Sequence, residues 1–415
     1  MRKRKRLQAR TGFLAVFLIL ILGFGLPGSS LAADSVKLGA LLPMTGSLQS
    51  YGEPCLNGIK LAQKQINEAG GVLGSELQIS VGDTQTKPQP GIDAAQKLVS
   101  LQGVSGVVGA LSSGVSIPVA RSVSSKEKVP QISPASTSPV ITNLEDNDFM
   151  FRSVPSDALQ GVAMAQVVAN ESDFTNTAVL YVNNDYGEGL ADNYKEAFEK
   201  KGGTVSASLA YEPGKASYRG ELSQAASEGA EALVMIGYPK NGVTILRQAL
   251  EEGYFQDFVY SDGLKAPEII EAIGAKYLNG SFGTAPQAVK DTATAQKYLS
   301  AYKDEYGEVP PKPFIDTAYD ATFVLALAVE EAGTTDSVEV RDALRDVANP
   351  PGEKVLSGEW EKAKRLLDQG KDINYTGASG SINFDKAGDV AGSFAHWKIE
   401  DGKIETVKVF KPKMD

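Results

Sequence analysis

From residue 36 onward the chain alternates between short continuous apolar runs and longer segments in which apolar residues recur every three or four positions. A short run rich in branched apolar side chains is typical of a buried strand, and the longer period is typical of an amphipathic helix. The first series predicts strands at 36–42, 77–81, 104–108 and 129–132, and helices at 58–69, 91–102 and 117–126. After an apolar segment at 149–154, a second series predicts strands at 177–182, 204–209, 232–236 and 258–261, and helices at 158–170, 187–201, 219–228 and 241–251.

The order of these elements indicates two doubly wound lobes, because strands that alternate with helices of this length form mostly parallel sheets covered on both faces. The rest of the chain has helical patterns at 291–306, 317–331, 338–347 and 359–367, and strand patterns at 381–384, 393–399 and 403–409. This late part does not repeat the alternation. We therefore expect the chain to return to the first lobe and then to the second.

The predicted fold class is α/β, with two doubly wound lobes joined by a hinge that the chain crosses several times. We assign residues 34–154 and 286–378 to lobe 1 and residues 155–285 and 379–415 to lobe 2, with one crossing near 152–155. In open α/β sheets, ligands bind beyond the carboxyl ends of the strands. Two facing lobes of this kind predict a ligand-binding cleft between them.

Residues 1–33 have the pattern of a secretory signal peptide. Basic residues at 2–6 and at Arg10 precede an apolar stretch at 13–26, and small residues follow up to Ala33. The unbroken apolar run at 13–22 is ten residues long, about half of what a membrane-spanning helix needs. No cysteine follows to carry a lipid anchor. We therefore predict an exported, periplasmic protein.

The composition excludes several functional classes. One cysteine and one histidine cannot build a disulfide framework, a multi-cysteine metal site or a zinc hydrolase. The 51 acidic residues outnumber the 41 basic ones, which disfavours nucleic acid as a partner. There is no G-x-x-x-x-G-K-[ST] phosphate loop and no G-x-S-x-G nucleophile elbow. We therefore predict no catalytic residue, no metal and no cofactor, and we interpret Cys55 as a packing residue and His396 as a strand residue.

Small hydroxyl residues follow two neighbouring predicted strands. Segment 109–114 contains Ser113, and segment 133–139 contains Thr137. Hydroxyls and free main-chain amides near a helix N-terminus favour an anion such as a carboxylate. Either loop alone could equally serve as a helix cap. The same chemistry in two adjacent loops favours a carboxylate site.

The second series supplies complementary groups. Tyr186, Tyr238 and Asp262 each follow one of its strands, so we expect them to share the rim that faces Ser113 and Thr137. An acidic group on that rim could pair with a ligand ammonium. An Asp-Gly pair alone is also common in turns that have no function in binding.

These segments carry a resemblance to a known family. The mature chain resembles the type I periplasmic solute-binding proteins of branched-chain amino acid ABC transporters, the leucine/isoleucine/valine-binding family. The matching stretches are GALLPMTG at 39–46, Tyr51-Gly52, INEAGG at 66–71, ISPAST at 132–137, DYGEG at 185–189 and GASGSINFD at 377–385. Their order and spacing extend over nearly all of residues 34–400.

The resemblance implies the type I periplasmic binding protein fold and a role for each matching position. It implies that Ser113 and Thr137 hold the carboxylate of an amino acid. The ligand ammonium would be received by the main-chain carbonyl of Ala135, the Thr137 hydroxyl and Asp262. Ser136 lies in the same motif and is counted with the ligand-binding residues. The pocket for the ligand side chain would be walled by Tyr51, Tyr186, Tyr238 and Phe314.

The resemblance further implies the substrate-binding component of an ABC importer. Such a protein closes around a branched-chain or other apolar L-amino acid, delivers it to a membrane permease, is not an enzyme and works as a monomer. The alternative is a ligand-sensing receptor of the same fold for amides, urea or aromatic acids. The presence of both Thr137 and Asp262 favours an α-amino acid, since a ligand without an ammonium would leave Asp262 unpaired.

Three features depart from the family pattern. A glutamate stands in the family at the position of Asp262, and a disulfide in its first lobe has no counterpart here because Cys55 has no partner. The segment at residues 350–373 is also longer than in the family. The sequence alone assigns no role to that segment.

Overall fold

The computed structural model describes residues 35–413, so the predicted signal peptide at residues 1–33 lies outside the described residues. The first sheet is formed by β1 (Val36–Leu42), β2 (Leu77–Asp83), β3 (Val107–Gly109), β4 (Gln131–Ser133) and β5 (Met150–Arg152). All of its pairings are parallel, and the spatial order is β2-β1-β3-β4-β5. Strand β1 is apolar except for Lys37, as expected of a strand that is buried on both faces.

The remaining strands form a larger sheet and a small one. They are β6 (Asn176–Val182), β7 (Thr204–Tyr211), β8 (Ala232–Ile236), β9 (Phe258–Tyr260), β10 (Phe282–Pro286), β11 (Glu353–Leu356), β12 (Ile373–Gly377), β13 (Gly380–Ser381), β14 (Phe394–Glu400) and β15 (Lys403–Phe410). The larger sheet has the order β15-β14-β10-β9-β8-β6-β7 and is parallel from β10 to β7. Strands β14 and β15 extend it in antiparallel pairing. The small sheet has the order β11-β12-β13.

Helices cover the faces of both large sheets. They are α1 (Gly52–Glu68), α2 (Pro88–Ser100), α3 (Ser113–Val119), α4 (Ser125–Glu127), α5 (Asp157–Glu171), α6 (Asp185–Lys200), α7 (Arg219–Ala226), α8 (Pro239–Glu251), α9 (Pro267–Ile273), α10 (Ala275–Leu278), α11 (Ala293–Tyr306), α12 (Ile315–Ala332), α13 (Ser337–Ala348) and α14 (Trp360–Leu367). Among the described residues, no helix combines the length and the apolar character needed to cross a bilayer.

The chain passes between the lobes repeatedly. It leaves the first sheet after β5 and forms the second sheet with β6 to β10. It then returns to the first lobe, because α11 and α12 pack against α1, and it finally completes the second sheet with β14 and β15. This path agrees with the predicted return of the late elements. The exact lobe boundaries assigned from the sequence stay a prediction.

The long segment at residues 350–373 packs against the first lobe. It contributes β11 and α14, and the Trp360 side chain of α14 is buried. The indole Nε1 of Trp360 donates a hydrogen bond to the Gly71 carbonyl at 3.1 Å, and its ring meets the Phe323 ring edge-on at 5.5 Å. The segment therefore joins the end of α1 to the buried helix α12.

Most predicted elements are present in the structure with shifted ends, and a few elements of the structure were not predicted. Helix α1 begins at Gly52, six residues before the predicted start at residue 58. Strands β10, β11 and β12 and helices α9 and α10 are absent from the prediction. The predicted strand at 381–384 is wrong beyond its first residue, because β13 ends at Ser381.

Candidate ligand-binding cleft

The loop after β3 places two serines at the carboxyl end of the first sheet. Ser112 precedes α3 and Ser113 is the first residue of that helix, and both are buried. The Ser113 hydroxyl accepts a hydrogen bond from the Ser138 main-chain N–H at 3.3 Å. The Ser112 hydroxyl lies 2.8 Å from the Tyr238 hydroxyl of the second lobe. The sequence pattern indicates Ser113 and not Ser112, although Ser112 is the serine whose hydroxyl contacts the facing lobe.

The loop after β4 is held in shape by its own hydroxyls. Ser133 Oγ donates to the Ala110 carbonyl at 2.6 Å and accepts from the Ser136 main-chain N–H at 2.9 Å. The Ser136 hydroxyl lies 2.7 Å from Ser116 Oγ. Ser136 is therefore engaged within the first lobe, and Ala135 beside it is buried in the same loop.

Thr137 ends this loop with a hydroxyl that has no hydrogen-bond partner among residues 35–413. Its main-chain carbonyl accepts from the Asp157 N–H at 2.7 Å and from Arg152 Nη1 at 2.9 Å. Arg152 is fully buried and forms two hydrogen bonds of 2.6 Å with the Asp389 carboxylate. Because a bidentate ion pair fixes its geometry, the Arg152–Asp389 pair holds the Thr137 main chain. Sequence analysis missed this pair, whose members are distant in sequence.

Asp262 follows β9 and is buried on the facing rim. Its carboxylate accepts hydrogen bonds from the Tyr186 hydroxyl at 2.7 Å and from Gln160 Nε2 at 2.9 Å. Burial raises the pKa of Asp262 from 3.8 to about 6, while these two hydrogen bonds act in the opposite direction. The structure thus brings Asp262 and Tyr186 together, as the sequence predicts.

A second buried carboxylate, Asp157, lies close enough to Asp262 for the two charges to interact. Asp157 is the first residue of α5, and neither of its carboxylate oxygens has a hydrogen-bond partner among the described residues. Burial raises the pKa of Asp157 well above its ordinary value, and the charge of Asp262 raises it further. The nearby Thr137 hydroxyl and Arg152 guanidinium lower it. Sequence analysis missed Asp157, because an acidic residue in the first helical turn resembles ordinary helix capping.

Further unused hydrogen-bonding atoms belong to the same group of buried residues. Gln160 Oε1 and Thr284 Oγ1 have no partner among the described residues. Burying a charge or a polar group without a partner is costly. Two carboxylates with spare acceptor positions therefore favour a small cation that carries several N–H donors, such as an ammonium group.

The four predicted aromatic residues are buried and form two pairs. The Tyr186 and Tyr238 rings stack with their centres 5.7 Å apart, and the Tyr51 and Phe314 rings lie 6.1 Å apart. The Tyr51 hydroxyl lies 3.1 Å from the carbonyl oxygens of both Asp262 and Lys265. The aromatic pairs thus flank the carboxylates and provide apolar surface beside them.

Within residues 35–413, no group of three or more His, Cys, Asp or Glu side chains is arranged to hold a metal ion. Cys55 is buried, and its thiol lies 3.5 Å from the Phe314 carbonyl, so it packs behind the aromatic wall.

Comparison with known proteins identifies relatives of this fold. Residues 35–364 match the profile of the periplasmic binding protein family. A Brucella melitensis protein named Leu/Ile/Val-binding protein homolog 3 is 30% identical over 381 residues, which are 91% of this chain and 94% of the relative. The leucine-, isoleucine-, valine-, threonine-, and alanine-binding protein of Pseudomonas aeruginosa is 30% identical over 321 residues, 77% of this chain and 85% of that protein.

A solved structure agrees with these sequence matches. The leucine binding protein LivK of Thermotoga maritima superposes on this chain with a TM-score of 0.78 at 28% identity, and the match covers 91% of this chain and 99% of that structure. The predicted α/β fold with two lobes is thereby confirmed.

Proposed function

This chain belongs to the periplasmic binding protein family, and from that premise we propose that it is the substrate-binding component of an ABC importer. Its ligand is a branched-chain or other apolar L-amino acid, which it encloses between its lobes and delivers to a membrane permease. The relatives named for leucine, isoleucine and valine support this ligand class. Proteins of this family bind their substrates rather than convert them.

The observation that carries the proposal is the pair of buried carboxylates, Asp157 and Asp262, beside the unpartnered hydroxyl of Thr137. A ligand ammonium placed here would donate to both carboxylates and relieve their mutual repulsion. Charge-assisted hydrogen bonds of this kind are about twice as strong as neutral ones. In this arrangement the Ala135 carbonyl provides a further acceptor on the first lobe.

The other parts of the ligand would meet the remaining rim residues. We assign the ligand carboxylate to the serines at 112–113 and to the loop that contains Ser136 and Thr137. The apolar side chain of the ligand would lie against four aromatic residues, Tyr51, Tyr186, Tyr238 and Phe314. Asp262 is one methylene shorter than the glutamate of the family, and the additional carboxylate of Asp157 would compensate for its shorter reach.

Calorimetric titration with leucine, isoleucine and valine tests this proposal. Asp262→Ala is expected to weaken leucine binding by about 2 kcal/mol or more, the scale for unpairing a buried charge. Asp173→Ala, which removes an exposed carboxylate, is the matched control and should leave the affinity unchanged. Unchanged affinity in Asp262→Ala would show that the ammonium is bound elsewhere.

A second set of titrations tests which class of ligand the protein binds, independently of which residues bind it. 4-Methylpentanoate has the carbon skeleton and carboxylate of leucine but no ammonium, so it should bind much more weakly than leucine. If the protein instead prefers carboxylates without an ammonium, amides or urea to amino acids, the result would support the alternative, a ligand-sensing receptor of the same fold.

Family membership indicates a periplasmic location, and we propose that residues 1–33 direct export and are then removed. We also propose that the protein is monomeric and that its lobes are residues 34–154 with 286–378 and residues 155–285 with 379–415. N-terminal sequencing of the protein from a periplasmic extract should begin at Ala33 or Asp34. An intact N-terminus in the membrane fraction would contradict the proposed export signal.

A further inference from the structure

A second cavity lies between the lobes, beside the segment that leads from β10 to α11. Its volume is about 290 Å³, near the lower end of the range for small-molecule sites. The second lobe contributes Lys265 and Thr406 to its wall, the segment after β10 contributes Gln287, and α11 and α12 contribute Tyr298 and Asp316. We call this space the hinge cavity. None of these five side chains is among those proposed to bind the amino acid.

Lys265 is the buried cation of the hinge cavity. The residue is only 5% exposed, so its ammonium is largely withdrawn from bulk water. Its Nζ donates to Gln287 Oε1 at 3.0 Å, the one hydrogen bond that the described residues give this ammonium. An ammonium carries three donors, so two of them remain available. Because a buried charge is stable only with enough partners, Lys265 favours an anionic occupant.

The opposite wall adds a hydrogen-bond donor. Tyr298 is 3% exposed, and its hydroxyl has no hydrogen-bond partner among the described residues. Helix α12 begins on the same wall, but the Asp316 carboxylate already accepts a hydrogen bond from the Thr317 main-chain N–H at 3.0 Å. Tyr298 is therefore the donor that this wall offers to a ligand. The donors therefore come from both lobes.

The charges that line the hinge cavity are positive on balance. Lys290 joins Lys265 on the wall, and Asp316 is the only carboxylate among the described residues that line it. Lys312 also lies on the wall but is paired with Glu268. The rest of the wall is largely apolar and includes Pro286, Leu299, Val309, Pro310, Pro311 and Ile404.

We propose that the hinge cavity binds a small organic carboxylate, with its anionic head on Lys265 and Tyr298 and its apolar body against the proline-rich wall. An inorganic anion would use the donors but would leave the apolar wall without a partner. Because both lobes form the wall, the occupant stabilises the arrangement in which they are close together. Lys265 also reaches the amino acid cleft, since its carbonyl lies 3.1 Å from the Tyr51 hydroxyl.

Calorimetric titration of the purified protein with 3-methylbutanoate tests this site. The wild-type protein should bind this probe, and Lys265→Met should weaken binding about tenfold or more, because it removes the charged donor. 3-Methylbutanamide has the same shape without the charge, and it should bind far more weakly. No binding of the carboxylate to the wild-type protein, or equal binding of the amide, would overturn the proposal.

Two further variants locate the bound probe. Lys60→Met makes the same substitution on an exposed face of α1 and should bind the probe like the wild-type protein. Thr137→Ala alters the proposed amino acid site and should also retain probe binding. Loss of binding in Thr137→Ala but not in Lys265→Met would place the probe in the amino acid cleft and refute the hinge site.

Discussion

At the residue scale, the two buried carboxylates of the cleft differ in how well the protein stabilises their charge. Asp262 accepts two hydrogen bonds, from Tyr186 and Gln160, whereas Asp157 accepts none from the described residues. Hydrogen bonds to a carboxylate favour its charged form. In the ligand-free protein Asp157 should therefore be the more readily protonated of the two carboxylates. Binding of an ammonium would favour release of its proton.

This arrangement predicts that amino acid affinity falls as the pH is lowered through the raised pKa values of the cleft. Burial raises the pKa of Asp262 to about 6, and that of Asp157 is raised as well. Below about pH 6 an amino acid must compete with protons, because its ammonium stays charged while the carboxylates become neutral. For each proton that must leave before leucine binds, the dissociation constant should rise by up to about tenfold per pH unit. Titrations at pH 7.5, 6.5 and 5.5 measure this change, and an affinity independent of pH would contradict it.

The same pKa shift predicts that, without ligand, the folded protein becomes less stable as the pH rises. The pKa of Asp262 is higher in the folded protein than its ordinary value of 3.8, so the folded state holds this proton more tightly. The resulting stability is complete below that ordinary value and is lost as the pH rises through about 6. The free energy of unfolding of the wild-type protein, relative to Asp262→Asn, should therefore decrease between pH 4.5 and 7. A difference that does not change with pH would argue against the shift.

At the element scale, the segment at residues 350–373 has a structural role that the sequence alone does not reveal. Trp360 inserts between the end of α1 and the middle of α12, where it meets Gly71 and Phe323. The Lys364 ammonium of α14 also reaches Glu330 near the end of α12 at 2.5 Å. These contacts indicate that the segment stabilises the first lobe through residues that are not among those proposed to bind the ligand.

Trp360→Ala should therefore destabilise the protein without altering its ligand site. Replacing a fully buried tryptophan by alanine removes a large apolar contact and leaves a cavity, which costs about 3–5 kcal/mol. Urea unfolding followed by circular dichroism measures this loss, and calorimetry of the folded variant should give the wild-type affinity for leucine. Leu101→Ala is the matched control, since Leu101 is 78% exposed. An unfolding midpoint equal to that of the wild-type protein would show that this contact is dispensable.

The elements that sequence analysis predicted are those whose pattern is local. Strand β8 has the predicted bounds because all five of its residues are apolar and buried. Strand β10 was missed because its sequence, Phe-Gly-Thr-Ala-Pro, has low intrinsic strand preference, and pairing with β9 and β14 holds it in place. The start of α1 was missed for a similar reason, since Gly52 and Pro54 resemble a loop when read locally.

In the candidate site too, the sequence indicates residues with a local pattern but not residues whose role depends on contacts distant in sequence. Thr137, Asp262 and two of the tyrosines were selected because each follows a predicted strand. Tyr51 and Phe314 were selected only through the resemblance to the family. Ser112, Asp157 and Arg152 were missed because their importance depends on partners from other parts of the chain. Arg152, for example, pairs with Asp389, 237 positions away. A sequence pattern contains no direct record of such contacts.

At the scale of the whole molecule, the lobes are in contact across the cleft, as expected for the closed form of a hinged receptor. The Tyr238 hydroxyl of the second lobe lies 2.8 Å from Ser112 Oγ of the first lobe. Lys312 pairs with Glu268 on another part of the rim. A ligand that contacts both lobes stabilises only the form in which they meet. Contacts between the lobes and contacts to the ligand therefore favour the same state.

Tyr238→Phe separates these two contributions, because it removes the bridging hydroxyl and keeps the ring that stacks on Tyr186. Loss of one such hydrogen bond costs about 1 kcal/mol, so the closed form should be populated less and the apparent affinity for leucine should fall by up to about fivefold. Small-angle scattering should give a larger radius of gyration for this variant without ligand, and saturating leucine should return it to the wild-type value. Tyr277→Phe, at an exposed tyrosine, should change neither quantity. If Tyr238→Phe loses affinity but its radius stays at the wild-type value with and without leucine, the hydroxyl acts on the ligand directly and does not govern closure.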